Sequence, residues 1–115
     1  MDAELKARWI EALKSGNYPK TKAALHRTVA TGDIPAGYCC LGVLASIVGD
    51  GRWEEWHVNG MEEFHFEDCP PEVAYLPGAF CMKVGLPCVL QNDLASANDD
   101  SDTFVPVIAL IEERL

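Results

Sequence analysis

The chain has 115 residues, 49% of them hydrophobic and 23% charged, and carries a formal net charge of −9. That length predicts one domain with a real core, and the composition excludes disordered and low-complexity classes. The acidity argues against nucleic acid as a partner, and the longest uncharged apolar run, Cys39 to Val48, falls far short of the roughly 20 residues that a membrane span needs.

The N-terminus, Met-Asp-Ala-Glu-Leu-Lys, has no apolar core after its charges, so a cytoplasmic location is expected. Residues 2–15 read as a helix, with Leu5, Trp9, Ala12 and Leu13 on one face, Asp2 as cap and Gly16 as stop. Pro19 forces Tyr18 out of helical geometry, which makes residues 17–20 a turn. Residues 20–29 are ambiguous between a short helix and a strand, and Thr31-Gly32-Asp33 and Pro35-Ala36-Gly37 mark a loop. Residues 39–48 read as a buried helix from Cys40, Val43, Leu44 and Ile47.

Residues 53–66 read as a β-hairpin turned at Asn59-Gly60. A two-residue loop pairs Val58 with Met61, His57 with Glu62, Trp56 with Glu63, Glu54 with His65 and Trp53 with Phe66. One face then carries Trp53, Phe64 and Phe66, the other Trp56, Val58 and Met61. Cys69 to Val73 reads as an extended stretch feeding a short helix that Pro77-Gly78 ends, and residues 79–92 as a loop with one short strand or turn. Residues 98–102 form a solvated turn capping a last helix over 104–114, where Pro106 is tolerated in the first turn. The predicted class is α+β: three helices packed on a small antiparallel sheet, with a further strand expected from residues 20–30 or 80–91.

Charge is unevenly distributed. Residues 1–32 hold six bases (Lys6, Arg8, Lys14, Lys20, Lys22, Arg27) against three acids, a balance of +3, whereas residues 33–115 stand at −12. Lys14, Ser15, Tyr18, Lys20, Lys22, Arg27 and Tyr38 are therefore the candidate ligand-binding residues. The cations would neutralise phosphate, Ser15 and Thr21 would supply hydroxyl donors, and Tyr18 and Tyr38, with Trp53 or Trp56, would flank a base. The alternative is a solvated face in which Lys14 complements a helix dipole. No P-loop glycine pattern is present.

Five cysteines, an odd set, fit reduced thiols packed in a core. Zinc bound by Cys39 and Cys40 with Cys69, Cys81, Cys88, His57 or His65 is the alternative, as is a nucleophilic Cys39 with His26, His57 or His65 as base. Neither has a supporting spacing, so no metal, cofactor or catalytic residue is assigned. The acids Asp93, Asp99, Asp100 and Asp102 with Asn98 lack the calcium-loop pattern and read as turn and cap residues.

Three stretches taken together resemble a family of small proteins encoded by bacteriophages and prophages. They are Trp9-x-x-Ala12-Leu13-x-Ser15-Gly16-x-Tyr18, Gly37-Tyr38-Cys39-Cys40-Leu41-Gly42-Val43-Leu44, and Leu94-Ala95-x-x-Asn98-Asp99 before an apolar helix ending Ile111-Glu112-Glu113. Family members often read Leu-Arg-Ser-Gly-x-Tyr followed by Gln, from which Lys14 and Pro19-Lys20 depart. The resemblance implies a phage setting in the host cytoplasm and no established chemistry. Counter-defence is a frequent role for such proteins.

Three functions follow as expectations. The first is non-catalytic sequestration of a phosphorylated small molecule, a nucleotide-type immune signal. The second is a protein-binding inhibitor of a host defence protein acting through the acidic surface of residues 54–102. The third is a small hydrolase of a nucleotide signal using Asp99 or a His–Glu pair. An anionic small molecule is the expected partner, and apolar residues on both hairpin faces suggest a homo-oligomer, a dimer in the first place.

Overall fold

The computed structural model describes residues 1–55 and 60–115. Asp2 accepts the Glu4 amide at 3.2 Å and opens α1 (Ala3–Lys14), which buries Trp9 and Leu13. Ser15 and Gly16, at φ +78°, end it. A loop leads to β1 (His26–Arg27), antiparallel to β2 (Gly37–Tyr38), and α2 (Cys40–Val48) follows at once. Then come β3 (Arg52–Glu55), β4 (Glu62–His65), α3 (Gly78–Val84), α4 (Cys88–Asp99) and α5 (Val105–Arg114). The architecture is α+β, with five helices and two two-stranded antiparallel sheets among the described residues.

The expected three helices are thus α1, α2 and α5, and the count is short by two. Residues 79–92, read as a loop, hold α3 and the start of α4. Pro77 and Pro87 sit at the N-cap positions of these helices, and Gly85, at φ +75°, caps α3. Residues that punctuate a loop also start and stop short helices, and here they do the second. The short helix expected after Pro71 is absent: Glu72 pairs with Phe64 instead, their backbones exchanging bonds of 2.7 and 3.1 Å.

The hairpin lies where expected, but its register is slipped by two residues. Arg52 faces His65, Trp53 faces Phe64, Glu54 faces Glu63 and Glu55 faces Glu62. The residues just ahead of β4 are engaged elsewhere: Met61 bridges Arg27, and the Thr28 amide donates to the Gly60 carbonyl at 2.7 Å. A slip of two preserves the alternation, so Trp53, Phe64 and Phe66 still turn toward the core. The expected pairings of Trp56, His57 and Val58 involve positions outside the described residues. Residues 20–30 do supply a strand, β1, but it pairs with β2 in a sheet of its own and meets the hairpin only through the Arg27–Met61 bridge, while residues 80–91 supply none.

The core is built around α2, buried continuously from Cys40 to Ala45. Against it lie Trp9 and Leu13 of α1 and Leu90 and Leu94 of α4, while Val107, Ile108 and Ile111 of α5 close the same core from the side of α4 and α1. The hairpin joins through rings: Trp53 lies 5.1 Å from Phe64, and Phe80 of α3 meets Phe64 and Phe66 edge-on at 5.4 and 5.2 Å.

Candidate functional site

The Gly37-to-Leu44 and Asn98-Asp99 stretches meet in space, and what they build is a scaffold. α2 begins without a side-chain cap of its own. Its first amide, Cys40 N–H, donates to Asn98 Oδ1 of α4 at 3.0 Å, and Asn98 Nδ2 donates to the Thr21 carbonyl at 3.0 Å. Asn98 is 0% exposed, so the expected solvated turn starts only after it, at Asp100. Asp99 Oδ1 accepts the Ala23 amide at 3.0 Å and so secures a left-handed backbone at Ala23, φ +60°. Trp9 Nε1 donates to the Cys40 carbonyl at 2.9 Å. A Cβ on Gly42 would stand 1.9 Å from the Leu25 carbonyl oxygen, which only glycine permits.

This scaffold presents residues 19–35. Thr21 is buried, and its hydroxyl donates to the Pro35 carbonyl at 2.7 Å. Lys20 bridges Tyr38 in extended geometry, so Lys20 and Lys22, two apart, leave the opposite side to Thr21. Both open into one cleft of about 300 Å³, shared with Asp33, Pro35 and Asp102. Lys22 Nζ lies 3.3 Å from Asp102 Oδ1. Burial lowers the pKa of Lys20, and the neighbouring Lys22 charge lowers it further, while Asp99 and Asp102 oppose the shift.

The seven candidate residues do not share one wall. Lys20 and Lys22 come together. Arg27 lies behind them, 4% exposed, where its guanidinium donates to the Lys22 carbonyl and to the hydroxyls of Thr21 and Thr31, each at 3.3 Å. It holds the loop's shape from inside. Tyr18 and Tyr38 pack edge-on at 5.2 Å, and Tyr38 stacks on His26 at 4.0 Å. His26 also contacts Glu62, and burial with that carboxylate raises the Tyr38 pKa. Lys14 lies elsewhere, in a groove with Ala7, Ile10, Glu11 and Glu112. Ser15 donates to Ala12 and accepts from the Asn17 amide at the end of α1. Asp33 and Asp102 complete the cleft, and neither is among the seven candidates. Charge imbalance points to cations and is blind to the acids that fold back beside them.

Three of the five thiols, Cys39, Cys40 and Cys81, are buried as expected for core packing, whereas Cys69 is half-buried and Cys88 is exposed at the start of α4. Burial pushes Cys39 up to about 11 and Cys40 well above its ordinary value, which opposes a nucleophilic role at neutral pH. Cys39 and Asp99 do border a second cleft of about 220 Å³, shared with Asn98, Tyr75 and four alanines. His26 is engaged with Glu62, and His65 Nε2 lies 3.1 Å from Glu54 and 3.8 Å from Glu63. No group of three or more His, Cys, Asp or Glu side chains converges among the described residues. Nor is any helix among them long and apolar enough to cross a membrane.

No curated protein and no solved structure matches the chain. One family model does, over residues 1–88, which takes in α1, the Tyr-Cys-Cys stretch, the Lys20–Lys22 cleft wall and the hairpin but ends before Asn98. With that much of its length matched, the chain belongs to the DUF8296 family, a domain of unknown function.

Proposed function

We propose that the protein binds a phosphorylated small molecule without catalysis, and that the Lys20–Lys22 cleft receives the phosphoryl group. The observation that carries the reading is the placement of two ammonium groups in one cleft, one of them with its pKa depressed by burial and by the other. An anion seated between them relieves both effects and makes charge-assisted bonds to each. The cleft, about 300 Å³, sits at the small end of ligand sites and suits a phosphoryl end group better than a whole dinucleotide. The wider setting belongs to the proposal too: a homodimeric phage counter-defence protein in the host cytoplasm, sequestering a nucleotide-type immune signal. The phage setting is supported by the resemblance of the three stretches, and the dimer by the apolar residues on both faces of the hairpin.

Titration calorimetry with pyrophosphate, cyclic nucleotides and ADP-ribose derivatives tests it. Heat is expected with at least one, falling by about tenfold or more in affinity for each of K20Q and K22Q. No heat with any of them, together with unchanged thermal stability, contradicts the reading.

A second reading rests on the hairpin. Glu54 faces Glu63, a like-charge pair across the sheet that shares a single imidazole, His65, at 3.1 and 3.8 Å. Such an arrangement favours a basic protein partner that would relieve it. Capture of that partner should fail as salt rises, whereas capture persisting in high salt would remove the acidic surface as its cause.

A further inference from the structure

The Lys20–Lys22 cleft carries both signs of charge. Of its four charged residues, Lys22 and Asp102 pair at 3.3 Å. Lys20 and Asp33 do not pair. Neither the Lys20 ammonium nor the Asp33 carboxylate has a hydrogen-bond or ion-pair partner among the described residues, though both line the same cleft. Two opposite charges facing one cavity ordinarily close on each other unless something holds them apart.

The backbone on both sides of the cleft is fixed. Asp33 sits at the tip of a two-residue turn between Thr31 and Ile34, whose amides and carbonyls exchange two bonds of 2.9 Å. Gly32, at φ +57°, supplies the geometry that such a turn demands. Beyond the turn, the Pro35 carbonyl is fixed to the buried Thr21 hydroxyl at 2.7 Å. Lys20 is held from the other side by its bridge to Tyr38. Neither wall is free to collapse onto the other.

We propose that the ligand is a small zwitterion: a phosphoryl group bound by Lys20 with Lys22, and a protonated amine bound by Asp33. This rests on the phosphoryl-binding reading of the cleft and narrows it. A phosphate without an amine meets Asp33 as a repelling charge, so it still binds the lysines but more weakly than its aminated counterpart. A ligand with separated charges gives Lys20 and Asp33 the direct contact that neither has within the cleft.

O-phosphoethanolamine and ethyl phosphate, the second lacking only the amine, are the probes, followed by chemical-shift titration of the whole chain. Phosphoethanolamine is expected to bind about two- to fivefold more tightly, the range for one exposed ion pair. D33N should erase that preference while ethyl phosphate binds it as well as before or better, and K20Q should weaken both probes. Equal affinity for the two probes, or a preference that persists in D33N, overturns the zwitterion while leaving the phosphoryl site in place. No shift at Lys20 or Lys22 with either probe overturns the phosphoryl site itself, and the zwitterion with it.

Discussion

Asn98 joins three parts of the chain through one side chain. It caps α2 at Cys40, holds the Thr21 carbonyl and is fully buried, so truncation leaves a donor and an acceptor without partners or water. N98A should cost about 2–4 kcal/mol, read by urea denaturation; a change below about 0.5 kcal/mol would mean that the cap contributes little. Gly42 is the steric counterpart. With a Cβ 1.9 Å from the Leu25 oxygen, G42A must displace backbone and should destabilise by roughly 1–3 kcal/mol or more. The thiols add a pH dependence. The unfolded chain releases the Cys39 proton from about 9.0 upward, whereas the folded chain keeps it until about 11. Between those values the unfolded state binds fewer protons, so stability falls as pH rises, by about 1.4 kcal/mol per unit for this thiol. Lys20, a base with a lowered pKa, works in the opposite sense and partly offsets the fall. Denaturation midpoints followed across that range, with C39A losing part of the slope, check the sign.

Among the elements, the hairpin gives the sharpest test. If Glu54 faces Glu63 beside His65, then E54Q and E63Q should be non-additive in stability by a few tenths of a kcal/mol in a double-mutant cycle. In the register read from the Asn-Gly turn alone, Glu63 would face Trp56, and the two substitutions would be additive. The comparison also shows how far local signals reach. α1, α2 and α5 were legible because periodicity and caps agree within each of them. The hairpin was legible as a unit, yet its register was not, since Met61 and Gly60 are claimed by Arg27 and Thr28, more than thirty positions away in sequence. α3 and α4 were missed because Pro77, Gly85 and Pro87 carry the same local meaning in a loop as at helix ends. Nothing near Asn98 announces that its side chain caps a helix 58 residues earlier.

For the molecule as a whole, the N-terminal excess of bases resolves into separate duties. Arg27 is internal, Lys14 lies on a different face, and Lys22 is paired with Asp102. The cationic half of the site was legible in the sequence as a charge imbalance. Its acidic half was not, because Asp33 and Asp102 reach the cleft only through the turn at Thr31–Ile34 and the end of α4. The motifs that carry the phage resemblance support the chain from within, so they speak to its fold more than to its ligand. If the proposed dimer forms, light scattering should give twice the 12.6 kDa chain mass at micromolar concentration. What matters most is whether the cleft takes up an anion, and Lys20 reports on that directly. Following its side-chain ammonium by NMR across pH, with and without inorganic phosphate, the account predicts a pKa below the ordinary 10.5 in the free protein that rises when phosphate is present. A Lys20 titration that phosphate leaves unmoved would contradict it.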